Sequence, residues 1–220
     1  MRRFATRVIT ITLAVLTCVT ANACAQTPGA AAPAPATARA SGATELSVAK
    51  STIVLLVRHA EKAPVPADDP PLSDVGTARA QALGAALADA GVTAVVVTPR
   101  LRTRATAQPV ASARGLTPNV VSLEGGLDAH VRAVAAAVRR HAGGVVLVVG
   151  HSNTIPAIIG ALGGSKLPDL CDASYSNLFT LVLEPGDGVE TAPPAARLVR
   201  AHYGAADPAG AGDCAAMAPR

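Results

Sequence analysis

Two stretches of this chain place ionisable side chains where a buried strand would end. Neither Thr52-Ile-Val-Leu-Leu-Val57 nor Val145-Val-Leu-Val-Val149 contains a charge, yet Arg58, His59, Glu61 and Lys62 follow the first, while Gly150, His151, Ser152 and Asn153 follow the second. Thr98 and Arg102 come after a third apolar run, Thr93 to Val97, and Glu124 comes after a fourth, Asn119 to Leu123. Each has a bland explanation taken singly. An Arg-His pair can be the solvated edge of a sheet, Arg102 a helix surface charge, and His151 a satisfied core residue. Two imidazoles, two guanidiniums and a carboxylic acid at one sheet edge, however, fit phosphoryl transfer. Planar guanidinium groups meet phosphate oxygens bidentately, and this chemistry asks mainly for positioning and charge stabilisation. A neutral imidazole can attack phosphorus and carry the group, while a protonated one can hold the equatorial oxygens.

These residues can meet only if the runs are strands of one sheet. Charge-free runs rich in β-branched residues and Leu read as strands buried on both faces, and open α/β sheets bind ligands at their carboxyl ends. If the strands before His59 and His151 lie side by side, the two imidazoles share one cleft. The proline-rich stretch 63–71 reads as a loop. Leu72-Ser73-Asp74 predicts a helix cap, with the helix running past Leu83 and Leu87 to Gly91. Thr98-Pro99 predicts the cap of a second helix, lasting to about Ala113 and stopped at Gly115. Asp128 predicts the cap of a third, with Val131, Val134 and Val138 on one face, ending before Gly143-Gly144. A fourth helix after Asn153 carries Ile155, Ile158, Ile159 and Leu162, and its amino end would aim at the same cleft. Residues 177–183 and 196–203 read as two final strands around the turn-forming Pro185-Gly186-Asp187-Gly188. The implied class is α/β: a mostly parallel sheet with helices on both faces and one antiparallel edge. Gly163-Gly164-Ser165-Lys166 follows a helix rather than a strand, so it does not read as a phosphate loop.

Composition sets the remaining bounds. With 220 residues, half of them apolar and 2% aromatic, the chain suits one domain with a real core and offers no stacking platform for nucleic-acid bases. Met1-Arg2-Arg3 and Arg7, the apolar Val8 to Val19, and Ala23-Cys24-Ala25 together read as a secretory signal peptide over 1–25. An uncleaved anchor, or a lipid-modified Cys24, is the alternative. Cleavage after Ala25 removes three Arg and no acid, leaving 16 Lys and Arg against 15 Asp and Glu. A nucleic-acid partner thereby loses its main argument. The mature protein is expected in the periplasm or secreted, with no stable membrane span. Residues 26–49, rich in Ala and Pro, read as a tether, 50–204 as the folded domain and 205–220 as a tail. Cys171 and Cys214 would be the remaining cysteines, and a bridge between them suits an exported protein. Their spacing offers no metal-ligand pair.

Four ordered motifs carry a family resemblance: Leu56-Val57-Arg58-His59-Ala60-Glu61, Leu72-Ser73-Asp74-Val75-Gly76, the segment from Thr98-Pro99-Arg100-Leu101-Arg102 to Ala107, and Gly150-His151-Ser152-Asn153-Thr154. Over roughly Thr52 to Tyr203 the chain resembles the histidine phosphatase superfamily, which implies the three-layer phosphoglycerate-mutase-like fold. The resemblance implies that His59 is the nucleophile that becomes phosphohistidine, that Arg58 and Arg102 bind the phosphate, with Ser152 placed beside them, and that His151 is the second histidine. For the acid that protonates the departing alcohol it implies Glu124, with Asp128 and Glu61 as alternatives. The long insertion usual after the third strand is missing here. That leaves an open pocket suited to a small phosphate ester and unsuited to a mutase.

The expectation is therefore an exported histidine-type phosphatase, a phosphoric monoester hydrolase that needs no metal or other cofactor. Two readings from other classes stay open. One is a phosphate-ligand binding protein without turnover, and the other is a zinc hydrolase using both histidines and a carboxylate, which the paired arginines oppose.

Overall fold

The structure is a computed structural model and describes residues 50–185 and 196–208. The expected signal peptide and tether, Cys214 and the end of the expected tail lie outside the described residues. Six strands form one sheet in the order β3-β2-β4-β1-β5-β6. β1 is Thr52–Arg58, β2 Ala94–Val97, β3 Asn119–Val120, β4 Val145–Gly150, β5 Asn177–Leu183 and β6 Ala196–His202. β3, β2, β4 and β1 run parallel, whereas β5 pairs antiparallel with both β1 and β6.

The charge-free strands are buried on both faces because each face meets a separate apolar layer. Val54 and Leu56 of β1 and Val146 and Val148 of β4 join one core. Its helical side comes from Val131, Val134 and Val138 of α3 (Gly126–Arg139) and Ile155, Ile158 and Ile159 of α4 (Thr154–Ala161). Leu55, Val57, Leu147 and Val149 point the other way, against Leu83 of α1 (Asp74–Ala86) and Ala107 and Val110 of α2 (Leu101–Arg114). β6, at the edge, is half-buried to exposed and carries Arg197 and Arg200, charges that discourage further strand pairing.

Several boundaries differ from the sequence reading. Ser73 caps α1 as expected, accepting from the Gly76 N–H at 3.1 Å, but the helix stops at Ala86 and residues 87–90 form turns. Thr98 does not cap α2. Its side chain turns inward, and Asp69 from the proline-rich loop accepts from the Leu101 N–H at 3.2 Å instead. Gly115 ends α2 in the left-handed conformation, as its type allows. β3 is only two residues long, and Gly125, rather than Asp128, occupies the cap position of α3; Asp128 lies in the first turn.

The loop after β1 returns onto itself. Lys62 bridges Leu72, the Ala63 N–H donates to Pro71 O at 2.9 Å, and the Ser73 N–H donates to Glu61 O at 3.0 Å. This last contact brings the start of α1 so close that a Cβ on Gly76 would overlap the Glu61 carbonyl oxygen. Gly76→Ala is therefore expected to destabilise the protein by about 1–3 kcal/mol, the usual cost of overpacking, read as a lowered urea midpoint at unchanged m. An unchanged midpoint would show that the loop yields freely.

Candidate active site

The β1–β4 register places Arg58 opposite Gly150, so His59 and His151 leave neighbouring strand ends together. Gly150 has no side chain where one would crowd the Thr154 hydroxyl at 2.6 Å. That hydroxyl instead accepts from the His151 N–H at 2.8 Å, and α4 begins immediately behind the strand. β2 is the next strand along, and Arg102 stands in the first turn of the helix that follows it. The result is a cavity of about 440 Å³ whose walls include Arg58, His59, Arg102, His151, Ser152 and Tyr175.

His59 is 4% exposed, and its ring lies 5.3 Å from that of His151, edge to face. Its Nδ1 is 2.8 Å from Ala60 O. A carbonyl only accepts, so the proton sits on Nδ1 and Nε2 keeps its lone pair. Burial pushes the His59 pKa from 6.5 down to about 3, against the pull of the Ala60 hydrogen bond and helped by His151, Arg58 and Arg102. For His151 burial again dominates, then Arg102, with His130, Arg100 and Arg58 following, and the pKa falls to about 4. Thr98 Oγ1 holds His151 Nε2 at 3.2 Å and is itself 2.9 Å from Thr103 Oγ1, which reaches Arg100 O at 2.8 Å. Both imidazoles are thus neutral around pH 7.

The arginines are oriented by acceptors from far along the chain. Arg58 Nη1 donates to Cys171 O at 2.7 Å and Asp172 O at 2.9 Å, and the guanidinium lies 4.2 Å from the centroid of the Tyr175 ring. Arg102 Nη1 is 3.6 Å from Asp69 Oδ1. Among the described residues, both guanidiniums nevertheless keep a buried Nε without a partner. Unsatisfied buried donors are rare enough to need a reason, and an oxyanion would supply one. Among the described residues, no three His, Cys, Asp or Glu side chains gather to hold a metal ion.

Of the residues singled out from the sequence, Arg58, His59, Arg102, His151 and Ser152 share this cavity. The three candidate acids do not join them. Glu124 and Asp128 are exposed and absent from its walls, because the chain turns through the left-handed Gly125 and Gly126 directly into α3. Glu61 is committed elsewhere: the Arg79 guanidinium grips it through Nε at 2.9 Å and Nη2 at 2.7 Å. Asp172 and Tyr175 line the cavity without having been anticipated. The available signal for Tyr175 was scarcity, since the chain has only two tyrosines. Cys171 is disulfide-bonded; the expected partner Cys214 lies outside the described residues.

Residues 54–128 match the family model of the histidine phosphatase superfamily, branch 1. No curated protein matches the chain. Among solved structures, a SixA protein from Nakamurella multipartitia is 29% identical over 71% of this chain and 99% of its own, with a TM-score of 0.49. Mycobacterial hydrolase 2 is 19% identical over 71% of this chain and 94% of its own, with a TM-score of 0.54. The protein histidine phosphatase SixA complexed with tungstate is 18% identical over 68% and 96%, with a TM-score of 0.52. The last two share the fold, a phosphoglycerate-mutase-like sheet covered by helices.

The neutral histidines leave a thermodynamic signature. Both pKa values are lowered in the fold and return towards 6.5 on unfolding, so between about pH 6.5 and pH 3 the unfolded chain binds more protons. Stability is present above that window and is lost as pH falls through it. Urea midpoints measured from pH 7 to pH 4.5 should decline, and the decline should be shallower in the His59→Asn, His151→Asn double variant. Equal slopes in both proteins would refute the assignment.

Proposed function

We propose that this chain, whose residues 54–128 match the histidine phosphatase superfamily model, is a phosphatase of that superfamily, that it is exported, and that it hydrolyses small phosphomonoesters through a phosphohistidine on His59. One observation carries the reading: two neutral imidazoles and two guanidiniums, from three separate strand ends, line one cavity. Support for export comes from the basic, then apolar, then small-residue order of positions 1–25. Among the described residues no helix is long and apolar enough to cross a membrane.

In the reaction, Arg58 and Arg102 hold the phosphoryl oxygens, with the Ser152 hydroxyl and the amino end of α4 beside them. The Nε2 lone pair of His59 attacks phosphorus. The N–P bond forms as the P–O ester bond breaks, and the bond pair leaves with the alcohol oxygen. His59 retains its Nδ1 proton on Ala60 O, so the phosphorylated ring is a cation and a good leaving group for the second step. The arriving dianion opposes the cationic surroundings that lower His151, raising its affinity for a proton with which it can hold an equatorial oxygen. Water then displaces His59 from phosphorus and releases inorganic phosphate. The open cavity, with no long β3–α3 insertion over it, suits small esters and does not suit a mutase.

A second reading, phosphate binding without turnover, is favoured by the placement of Glu124 outside the cavity and of Glu61 in its ion pair. The mature chain decides between them with p-nitrophenyl phosphate. Turnover and acid-labile labelling are expected in the wild type, and both should vanish in His59→Ala. Tight orthophosphate binding without turnover between about pH 4 and 9, a range spanning carboxylate and imidazole titration, would select the second reading. Arg102→Ala should weaken orthophosphate inhibition roughly 10- to 100-fold, the equivalent of about 1.5–3 kcal/mol for a charged hydrogen bond. Undiminished inhibition would remove Arg102 from the phosphate site.

A further inference from the structure

In-line transfer fixes where a proton donor has to stand. The nucleophile and the departing oxygen occupy opposite apices of the phosphoryl group, with the three held oxygens between them. His59 is 4% exposed, so it forms the floor of the cavity, and the departing oxygen faces the mouth. A donor must therefore come from the rim. Neither Glu124 nor Asp128 lines the cavity, and Glu61 is held by Arg79. Among the described residues one carboxylic acid does line it: Asp172, whose side chain is 83% exposed. Its backbone is not free to drift, because its carbonyl accepts from Arg58 Nη1 at 2.9 Å, and the neighbouring Cys171 carbonyl accepts from the same nitrogen at 2.7 Å. Its Oδ1 stands 3.8 Å from Arg58 Nη2. One carboxylate is thus tethered, by the phosphate-binding arginine itself, to the side of the cavity that the departing group must cross.

We propose that Asp172 is the catalytic acid and base of this site. The assignment rests on the phosphohistidine reading given above. In the first step the P–O bond breaks and its electron pair, now on the alcohol oxygen, takes the carboxyl proton of Asp172. In the second, the Asp172 carboxylate takes a proton from the water that attacks phosphorus, the N–P bond breaks, and its pair returns to His59 Nε2. Phosphate leaves, and Asp172 is protonated again for the next cycle. No other reactant is required.

Leaving-group dependence tests the role separately from the phosphohistidine reading. p-Nitrophenolate departs without help, whereas an alkoxide does not. Asp172→Asn should lower the rate of the first step, phosphorylation of His59, about 10²-fold or more for an alkyl phosphate such as glycerol phosphate, the usual contribution of a general acid, while the same step with p-nitrophenyl phosphate, read as the initial burst of p-nitrophenolate, slows by less than about fivefold and the second step slows for both. Asp172→Glu should recover part of the alkyl activity. Acid-labile labelling of Asp172→Asn by p-nitrophenyl phosphate should persist. Equal losses in the first step on both substrates would mean that Asp172 only positions Arg58, and no loss on either would mean that it has no part; each overturns the proposal. Lys62 also lines the cavity. If Lys62→Met, rather than Asp172→Asn, selectively impairs the alkyl substrate, the ammonium is the donor and the proposal fails. Failure of the phosphohistidine reading looks different: wild-type protein would show no labelling with any ester.

Discussion

The parallel pairing of β1 with β4 is the constraint on which the rest depends. Alternating strands with one wet face have their register fixed by the hydrophobic pattern, since a slip of one residue exposes the core set. That restraint is weak here, because both faces of both strands are apolar and buried. The register is held at the ends instead. At one end the Gly143 N–H donates to Thr52 Oγ1 at 2.9 Å and the Ile53 N–H to Gly144 O at 3.0 Å; at the other the His59 N–H donates to Gly150 O at 2.9 Å. The same pins that align the strands place the two histidines side by side. Fold and site therefore share a single specification.

Electrostatics follow from that placement. Arg58 is 5% exposed, and a guanidinium cannot shed its charge to escape the desolvation cost, so it must find acceptors. It finds backbone carbonyls, which orient it without neutralising it. A tight carboxylate partner would have cancelled the positive field; the nearest, Asp172, stands at 3.8 Å with its side chain largely in solvent. The field that remains works with burial to keep both imidazoles unprotonated. One arrangement thus produces an imidazole with a free lone pair and a cavity of positive charge, the two things the proposed reaction asks for.

What could be read from the sequence was what is local in it. The two charge-free strands, the residues at their ends, the Ser73 cap and the Gly115 stop each depend on neighbours within a few positions, and the structure has them as read. Termini set by competition between distant groups were missed. Thr98 has the residue type of a cap, but its hydroxyl is drawn to His151 and Thr103, and Asp69, 32 residues from Leu101, does the capping. Glu61 is the carboxylate nearest to His59 in sequence, yet Arg79 occupies it. The acceptors of Arg58 lie more than 110 residues away. No periodicity or spacing reveals such contacts, because they arise from the packing of loops after the sheet has formed.

Those loops decide how the mouth of the cavity is built. On one side the short β3–α3 connection turns away at once, leaving a shallow hollow of about 270 Å³ that shares Arg102, His151 and Asn153 with the histidine cavity and has Leu123 and Leu127 on its walls. On the other side residues 171–175 cross the rim, fastened from within by Arg58 and from behind by Asp207, whose carboxylate accepts from the Tyr175 and Ser176 N–H groups at 2.9 Å. The mouth is therefore asymmetric. Its polar, braced wall presents Tyr175 and Asp172, and its open wall leaves free space beside Arg102 and His151. A rim braced by the carboxyl-terminal part of the chain acts on the strand end beneath, because the Tyr175 ring and the Cys171 and Asp172 carbonyls orient Arg58. The braced wall and the strand ends beneath it are thereby one unit, joined through Arg58, whereas the walls of the open hollow include neither Arg58 nor His59.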